Sequence, residues 1–576
     1  MKNQIGTIRL LLFWQLITIF LFGLNQVSAS GRMIQEGDVV HLEPGISDLS
    51  YRGEIVLSDE DYTLNDSVLS SKAVGIQSVI INKMKEDNWW MGVIGQGHLM
   101  PFNKDVEIDT YGKGYGNQVQ PLMLSDKGDV IWGESPLRIV NSEKKLIIYS
   151  RDSIIRTERN SSLKEGFLHA SKNYFPPSGK MPDELLFTSP QYNTWIELMY
   201  DQNQTDILKY AHAIKENGYP AGVLMIDDNW QEDYGKWNFH QGRFNDPAAM
   251  IDELHNMGFK VMLWVCPFIS ADCDVYRELT KKGYFLKTKS GETAMVPWWN
   301  GVSALLDFSN SEAQQWFKNE LQRLTRVYGV DGFKLDAGDA RFYTGDIDLN
   351  GLSPNDHSQL YGEIGLDFPL NEYRAMWKMG GQALAERLHD KDHSWSHLNM
   401  LIPQMLVEGI MGYPFACPDM IGGGQFTSFL NDAVIDQELI VRSAQCHALM
   451  PMMQFSVAPW RVLDETHLKA VKKAIDLRQM HKDYILQLAQ EAARTGEPIM
   501  RLMEYEYPKQ GFAKVVDQFM LGSKILVAPV LTESARSRYV KLPQGKWKLP
   551  SGKIIKGGKM LRFNVELDEL LVLIKQ

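Results

Sequence analysis

The sequence predicts a (β/α)8 barrel, the TIM-barrel architecture, set between two β modules. Three observations lead there. Continuous apolar strands alternate with capped helices from residue 186 to 495, no sustained helical period precedes that region, and strand-like stretches return after it. The expected division is a leader over 1–29, a β-sandwich over 30–185, the barrel over 186–495 and a C-terminal all-β domain over 496–576.

The leader is read from Lys2 and Arg9, an apolar run from Leu10 to Leu24, and small residues at Val27-Ser28-Ala29. Cleavage there would leave an exported chain, periplasmic or secreted. The alternative is an uncleaved signal anchor holding the remainder outside the cytoplasm. No later stretch is apolar enough to span a bilayer, so no stable membrane span is expected after cleavage. The net charge of −11 and the lack of a basic run beyond the leader argue against nucleic acid as a partner. Cys266, Cys273, Cys417 and Cys446 form no CxxC and read as buried thiols, with a Cys266–Cys273 bridge as the alternative.

The N-terminal β reading rests on β-branched runs such as Ser78 to Met84 and Lys145 to Arg156. Phe187 to Trp195 is the expected first barrel strand. A helix follows over Asp206 to Asn217, with Thr205 as its cap and Gly218 and Pro220 as its stop. Gly222 to Ile226 is an apolar strand that ends in Asp227, Asp228, Asn229 and Trp230. Asp246 and Pro247 open the next helix, which turns Ile251 and Leu254 inward and exits at Gly258. Phe259 to Val265 is a further buried strand. Ser311 should cap a long helix carrying Trp316, Phe317, Leu321 and Leu324. That helix leads to Phe333, Lys334 and Leu335, which deliver Asp336 into an Ala-Gly turn. A (β/α) barrel presents catalytic carboxylates at such strand ends, although an Asp capping the next helix would look the same. A helix over about 464–494 closes the region, and the β runs Lys524 to Val530, Ser537 to Leu542 and Glu569 to Ile574 follow.

Strand ends also supply Asp339, Asp390, Asp392 and Asp419. A barrel mouth rich in carboxylates and Trp suits glycoside hydrolysis, which needs one carboxylate nucleophile and one proton-donating acid. There is no GxSxG elbow and no glycine-rich phosphate loop. A rival is zinc on His389, His393 and His397, which recur at helical spacing. Metal ligands in barrels come from several strand ends, so neither metal nor cofactor is expected.

The segments YGNQVQP (115–121), MIDDNW (225–230), LDF (306–308), DGFKLDAGD (331–339), GYPFACPDMIGGG (412–424), ELIVRSAQ (438–445), QFSVAPW (454–460) and ILVAPVL (525–531) together resemble glycoside hydrolase family 31. That family comprises retaining α-glycosidases acting on oligosaccharides or other glycosides. The resemblance implies that Asp336 is the nucleophile and that Asp390 is the acid/base, with Asp392 as the alternate. It implies that Asp227 and Asp419 hold sugar hydroxyls. Asp228, Trp230, Trp264, Lys334, Arg442 and Trp460 are further substrate-binding candidates. The family's usual Trp-x-Gly-Asp is Arg387-Leu388-His389-Asp390 here. The Arg-x-His of many of its α-glucosidases is Gln454-Phe455-Ser456. The combination of IDDNW (226–230), Trp298-Trp299-Asn300-Gly301, Lys334 two before the nucleophile, PDMIGG (418–423) and QFSVAPW (454–460) is similar to the myogenesis-regulating glycosidase branch, associated with α-galactoside cleavage. The expectation is therefore an α-galactosidase first and an α-glucosidase or α-xylosidase second.

Overall fold

The computed structural model describes residues 77–576, apart from 84–85, 103–104, 111–115, 159–160 and 431–432, together with four short strands before residue 77. The expected leader lies outside the described residues. In one compact unit Val39–His41 pairs antiparallel with Glu54–Val56. Everything from Val74 onward belongs to a second unit.

Two antiparallel sheets open that second unit. Gln77–Asn82, Lys145–Ser150, Leu137–Asn141 and Val106–Asp109 lie side by side in one. Ile154–Thr157, Val130–Gly133, Val119–Ser125 and Trp89–Val93 form the other. Leu137–Asn141 alternates buried and half-buried residues, as a strand with one face on a core must. A helix, Leu163–Tyr174, occurs where none was expected. Ser162 caps it by accepting from the Glu165 N–H, and Leu163, Phe167 and Ala170 face inward. Much of its buried face is small, and Gly166 rests directly on the Gly128 backbone. Gly166, His169, Ser171 and Asn173 inside it are poor helix formers, so propensity does not mark it.

Eight parallel strands follow in consecutive order: β1 (Gln191–Asn193), β2 (Val223–Ile226), β3 (Lys260–Val265), β4 (Gly332–Leu335), β5 (Leu370–Tyr373), β6 (Glu386–Arg387), β7 (Ala416–Cys417) and β8 (Gln454–Phe455). β8 pairs with β1, and Met420, just past β7, bridges Gln454, so the ring closes. The first strand is shorter than expected. Pro190 has no N–H to give a ladder, and Leu185–Thr188 and Trp195–Leu198 on either side are helical turns.

Helices α1 (Gln204–Glu216), α2 (Pro247–Asn256), α3 (Ser311–Tyr328), α4 (Pro354–Ile364), α5 (Trp395–Ile410), α6 (Gln437–Ala448) and α7 (Glu465–Thr495) surround the strands. Asp246 caps α2 as expected. The caps of α1 and α3 are Asn203 and Asn310 rather than Thr205 and Ser311. In each case the amide side chain one or two residues earlier reaches the free N–H groups, and the hydroxyl residue is already helical. Phe317, Leu321 and Leu324 of α3 are fully buried, each contributing about 1.5–3 kcal/mol of transfer free energy. α3 ends at Gly329 in the left-handed region, φ 78°, and this stop sets the start of β4.

The C-terminal sheets run from Met500 to Lys575 around a core that includes Leu526, Val540, Trp547 and Leu573. All four cysteines are buried and free, which removes the alternative of a Cys266–Cys273 bridge. Among the described residues no helix is long and apolar enough to cross a membrane.

Between β6 and α5 the fold buries two acids. Neither carboxyl oxygen of Glu408 has a hydrogen-bonding partner among the described residues. Burial, together with neighbouring Glu386, pushes Glu408 well above the usual carboxylate range, with Lys391 opposing. Burial also pushes up Glu386, with Gln118 opposing. The folded chain thus keeps protons that the unfolded chain releases above about pH 4.3, and stability falls as pH rises from there. Glu408→Gln should raise Tm by about 2–4 °C near pH 8, and the gain should shrink toward pH 5. A gain independent of pH in a melting series would contradict this origin.

Candidate active site

The C-terminal ends of β2 to β7 carry the polar residues, and the strand register sets their layers. Trp264, Lys334 and Glu372 are direct neighbours across β3, β4 and β5. Just beyond the strand ends lie Asp227 and Asp228, Asp336, Arg374, Asp390 and Asp419, after β2, β4, β5, β6 and β7 respectively.

Asp336 is the most tightly held. Its Oδ2 accepts from the Trp264 indole N–H at 3.0 Å, and its Oδ1 accepts from Arg374 Nε and from the Ala337 N–H, both at 2.8 Å. Ala337 and Gly338 both lie in the left-handed region, with φ 59° and 72°. A side chain at Gly338 would run into the Tyr361 ring, so this turn requires glycine. Tyr361 also donates its hydroxyl to the Asp336 carbonyl, at 3.1 Å. Burial pushes the Asp336 carboxyl up. Arg374 foremost, then Lys334 and Arg387, outweigh that and hold it well below the usual carboxylate range. Such a group is ionised throughout the working pH range, as a nucleophile must be.

Arg374 was not singled out from sequence, yet it organises this half of the site. Its Nη2 donates to Asp339 at 2.9 Å, its Nη1 to the Gly116 carbonyl at 3.2 Å, and the guanidinium stacks over the Trp299 ring. Trp299 is an exposed aromatic at the tip of the hairpin Met295–Trp298/Gly301–Leu305. The next residue, Asn300, donates to Asp228 at 2.7 Å, and the Tyr234 hydroxyl donates to Asp228 at 3.1 Å. Burial first, then the charge of Asp227, pushes Asp228 up to about 7. Asp227 itself pairs with Lys334 at 2.6 Å.

On the other side Arg387 Nη1 donates to Asp390 Oδ1 at 2.7 Å and to Asp419 Oδ1 at 2.9 Å, and its Nε faces Glu372 at 3.2 Å. The Asp390 side chain is 37% exposed, whereas that of Asp419 is 1% exposed. Both Asp419 oxygens are engaged, since Oδ2 accepts from the Lys391 and Gly424 N–H groups at 2.9 and 3.1 Å. Asp390 thus reaches solvent while Asp336 is buried and held ionised, and glycoside hydrolysis uses one carboxyl to give a proton and another to attack.

Several sequence candidates lie elsewhere. Trp230 is fully buried, donates to the Trp264 carbonyl and packs on Trp237 and Phe239, so it is core. Trp460 packs against Tyr210 of α1 and Tyr219 in the outer shell. Arg442 points to the C-terminal β domain, donating to the carbonyls of Ala535, Glu566 and Glu569. Trp264 is buried and positions Asp336 instead of offering its face to a ligand. Asp392 is a surface residue whose partner is His397. The three histidines do not share a helix face, because α5 begins only at Trp395. His389 meets Asn117, His393 meets the Gly422 carbonyl and the Asp436 N–H, and His397 accepts from the Asp392 N–H. Among the described residues no group of three or more His, Cys, Asp or Glu side chains is placed to hold a metal ion.

This geometry has relatives. Residues 189–488 match the model of the glycosyl hydrolases family 31 TIM-barrel domain, and 496–576 match the glycosyl hydrolase family 31 C-terminal domain. The chain is 34% identical over 413 residues to the myogenesis-regulating glycosidase of Mus musculus, covering 69% of this chain and 58% of that protein. It is 26% identical to alpha-glucosidase 2 of Bacillus thermoamyloliquefaciens, covering 65% and 51%. The chain therefore spans just over half the length of these two relatives. In fold it is similar to a GH31 alpha-xylosidase from a soil metagenome, with TM-score 0.76, 21% identity and coverage of 87% and 79%. It is also similar to a Flavobacterium johnsoniae GH31 dextranase, with TM-score 0.77, 19% identity and coverage of 95% and 76%. With a family domain matched over half its length, the chain belongs to glycoside hydrolase family 31.

Proposed function

We propose that the protein is a retaining exo-α-glycosidase that removes terminal α-galactosyl groups by double displacement. The observation carrying this reading is the contrast between Asp336, buried and clamped by Arg374 and Trp264, and Asp390, reaching solvent from Arg387. In the first step Asp390 gives its proton to the leaving oxygen while Asp336 attacks the anomeric carbon, forming a β-linked glycosyl ester. In the second, Asp390 takes a proton from water, which attacks the same carbon and releases the sugar in its original α configuration.

The galacto preference draws on β8. Gln454 is committed to Glu372 and Gln191, at 2.7 and 2.9 Å, and the Ser456 hydroxyl accepts from the Ile196 N–H. Gln454, Phe455 and Ser456 bring no cation there, where many family α-glucosidases carry Arg-x-His. Lys334 and Arg387 supply the positive charge from β4 and β6 instead. The α-glucosidase and α-xylosidase readings come second, since relatives bear both names.

A panel of aryl α-galactoside, α-glucoside and α-xyloside, followed by NMR, tests the proposal. The highest kcat/KM should fall on the galactoside, with the α-anomer appearing first. An equal or better glucoside would remove the sugar assignment, and a β-anomer appearing first would remove the double displacement. The action is proposed for the periplasm or outside the cell, and an N-terminus just after Ala29 in exported protein would bear on that directly.

A further inference from the structure

The acid side of the site contains two carboxyls. Asp390 Oδ1 and Asp419 Oδ1 accept from the same nitrogen, Arg387 Nη1, at 2.7 and 2.9 Å, so the two oxygens are neighbours. A second observation is independent of the arginine. A Cβ on Gly424 would stand 2.7 Å from Asp419 Oδ1 and 3.0 Å from Asp390 Oδ1. The chain omits a side chain where any would wedge against both acids. Asp419 is also closed off from a ligand, being buried with both oxygens engaged, so a role in holding hydroxyls does not fit it.

We propose that Asp390 and Asp419 work as one acid/base dyad bridged by the positioning residue Arg387, carrying a single proton into the first step and recovering it from water in the second. This rests on the reading of Asp390 as the acid/base. The atoms balance. The dyad loses its proton to the leaving oxygen, stays unprotonated while the glycosyl ester exists, and regains one proton as water attacks. Two carboxylates this close do not both ionise cheaply. The buried partner is pushed up to about 6 by burial and by the charge of Asp390, against Arg387 and Lys391.

The other groups facing the dyad are few. Lys391 borders it through the backbone bond to Asp419 and through charge, and Glu372 lies on the far side of Arg387. Arg374 and Asp336 act at longer range. His389 is neutral, since burial foremost holds it down at about 2.

The test compares pH profiles of kcat/KM on two aryl glycosides of the best sugar from the panel, one with a poor leaving group that needs an acid and one activated enough not to. In Asp419→Asn the like charge disappears, so Asp390 ionises more easily and the basic limb on the poor substrate should move down by about one pH unit. In Arg387→Met the cation disappears, so the limb should move up by about the same amount, and Arg387→Lys should restore it in part. The activated substrate needs no acid, so its basic limb should stay in place in Asp419→Asn. Opposite movements are what a merely structural role would not produce. If Asp419→Asn, which is isosteric, leaves the limb unmoved, the dyad is overturned even if Arg387→Met fails to fold. Asp390→Ala separates the two ideas: an equal loss on both substrates refutes Asp390 as acid/base, whereas a loss confined to the poor substrate alongside an unmoved Asp419→Asn limb refutes only the dyad.

Discussion

Asp336→Ala should lower kcat on the best aryl glycoside by on the order of 10⁴-fold while the protein stays folded. Asp336 is the carboxylate that Arg374, Lys334 and Arg387 together hold ionised after β4. Trp264, Arg374 and the Ala337 N–H all point at it, and the neighbouring Asp227 and Asp339 are committed to Lys334 and Arg374. Folding should survive, because Arg374 retains Asp339 at 2.9 Å. The vacated face then admits a small anion. Excess azide should restore turnover and give the β-glycosyl azide, inverted relative to the α-substrate. Turnover near that of the wild type, or an α-azide from this variant, would show that the nucleophile lies elsewhere.

The second large effect should come from Arg374→Met. The guanidinium neutralises Asp336 and Asp339 in a buried site, and removing one partner of such a network costs about 3–5 kcal/mol. Tm should therefore drop strongly at neutral pH. Asp336 is held well below the usual carboxylate range, so the stability from its pairing is present above the unfolded aspartate value of about 3.9. It is lost as pH falls through the folded value. The Tm gap between wild type and variant should narrow in acid. The acid limb of kcat/KM should move to higher pH, because without its main cation Asp336 protonates earlier. A variant whose limb stays in place would assign Arg374 to packing alone.

The sequence made the first half of the barrel legible and obscured the second. β2, β3 and β4 are runs of four to six residues, almost wholly buried and mostly apolar, and they announce themselves. β5 reads Leu-Asn-Glu-Tyr, and β6, β7 and β8 have two residues each. Their inward positions hold Glu372, Arg387 and Gln454, polar groups that satisfy one another inside the ring, so hydropathy cannot find them. Arg374 was missed for the same reason: the strand delivering it looked like a loop. Asp336, Asp227 and Lys334 were visible because they lie in or just beyond well-marked strands. Trp230 and Trp460 misled because a tryptophan near a strand end has the same spelling whether it faces the mouth or the shell. Arg442 sits in a motif resembling the family's, yet its charge serves carbonyls more than ninety positions further along the chain.

Those Arg442 contacts also govern how far the catalytic region can be shortened. A chain ending at residue 495 would keep a guanidinium sunk in α6 while losing the three carbonyl acceptors that accommodate it. The barrel is thus not separable from its tail. Truncation from the carboxyl end should yield insoluble or proteolysed material, even though every residue of the mouth remains.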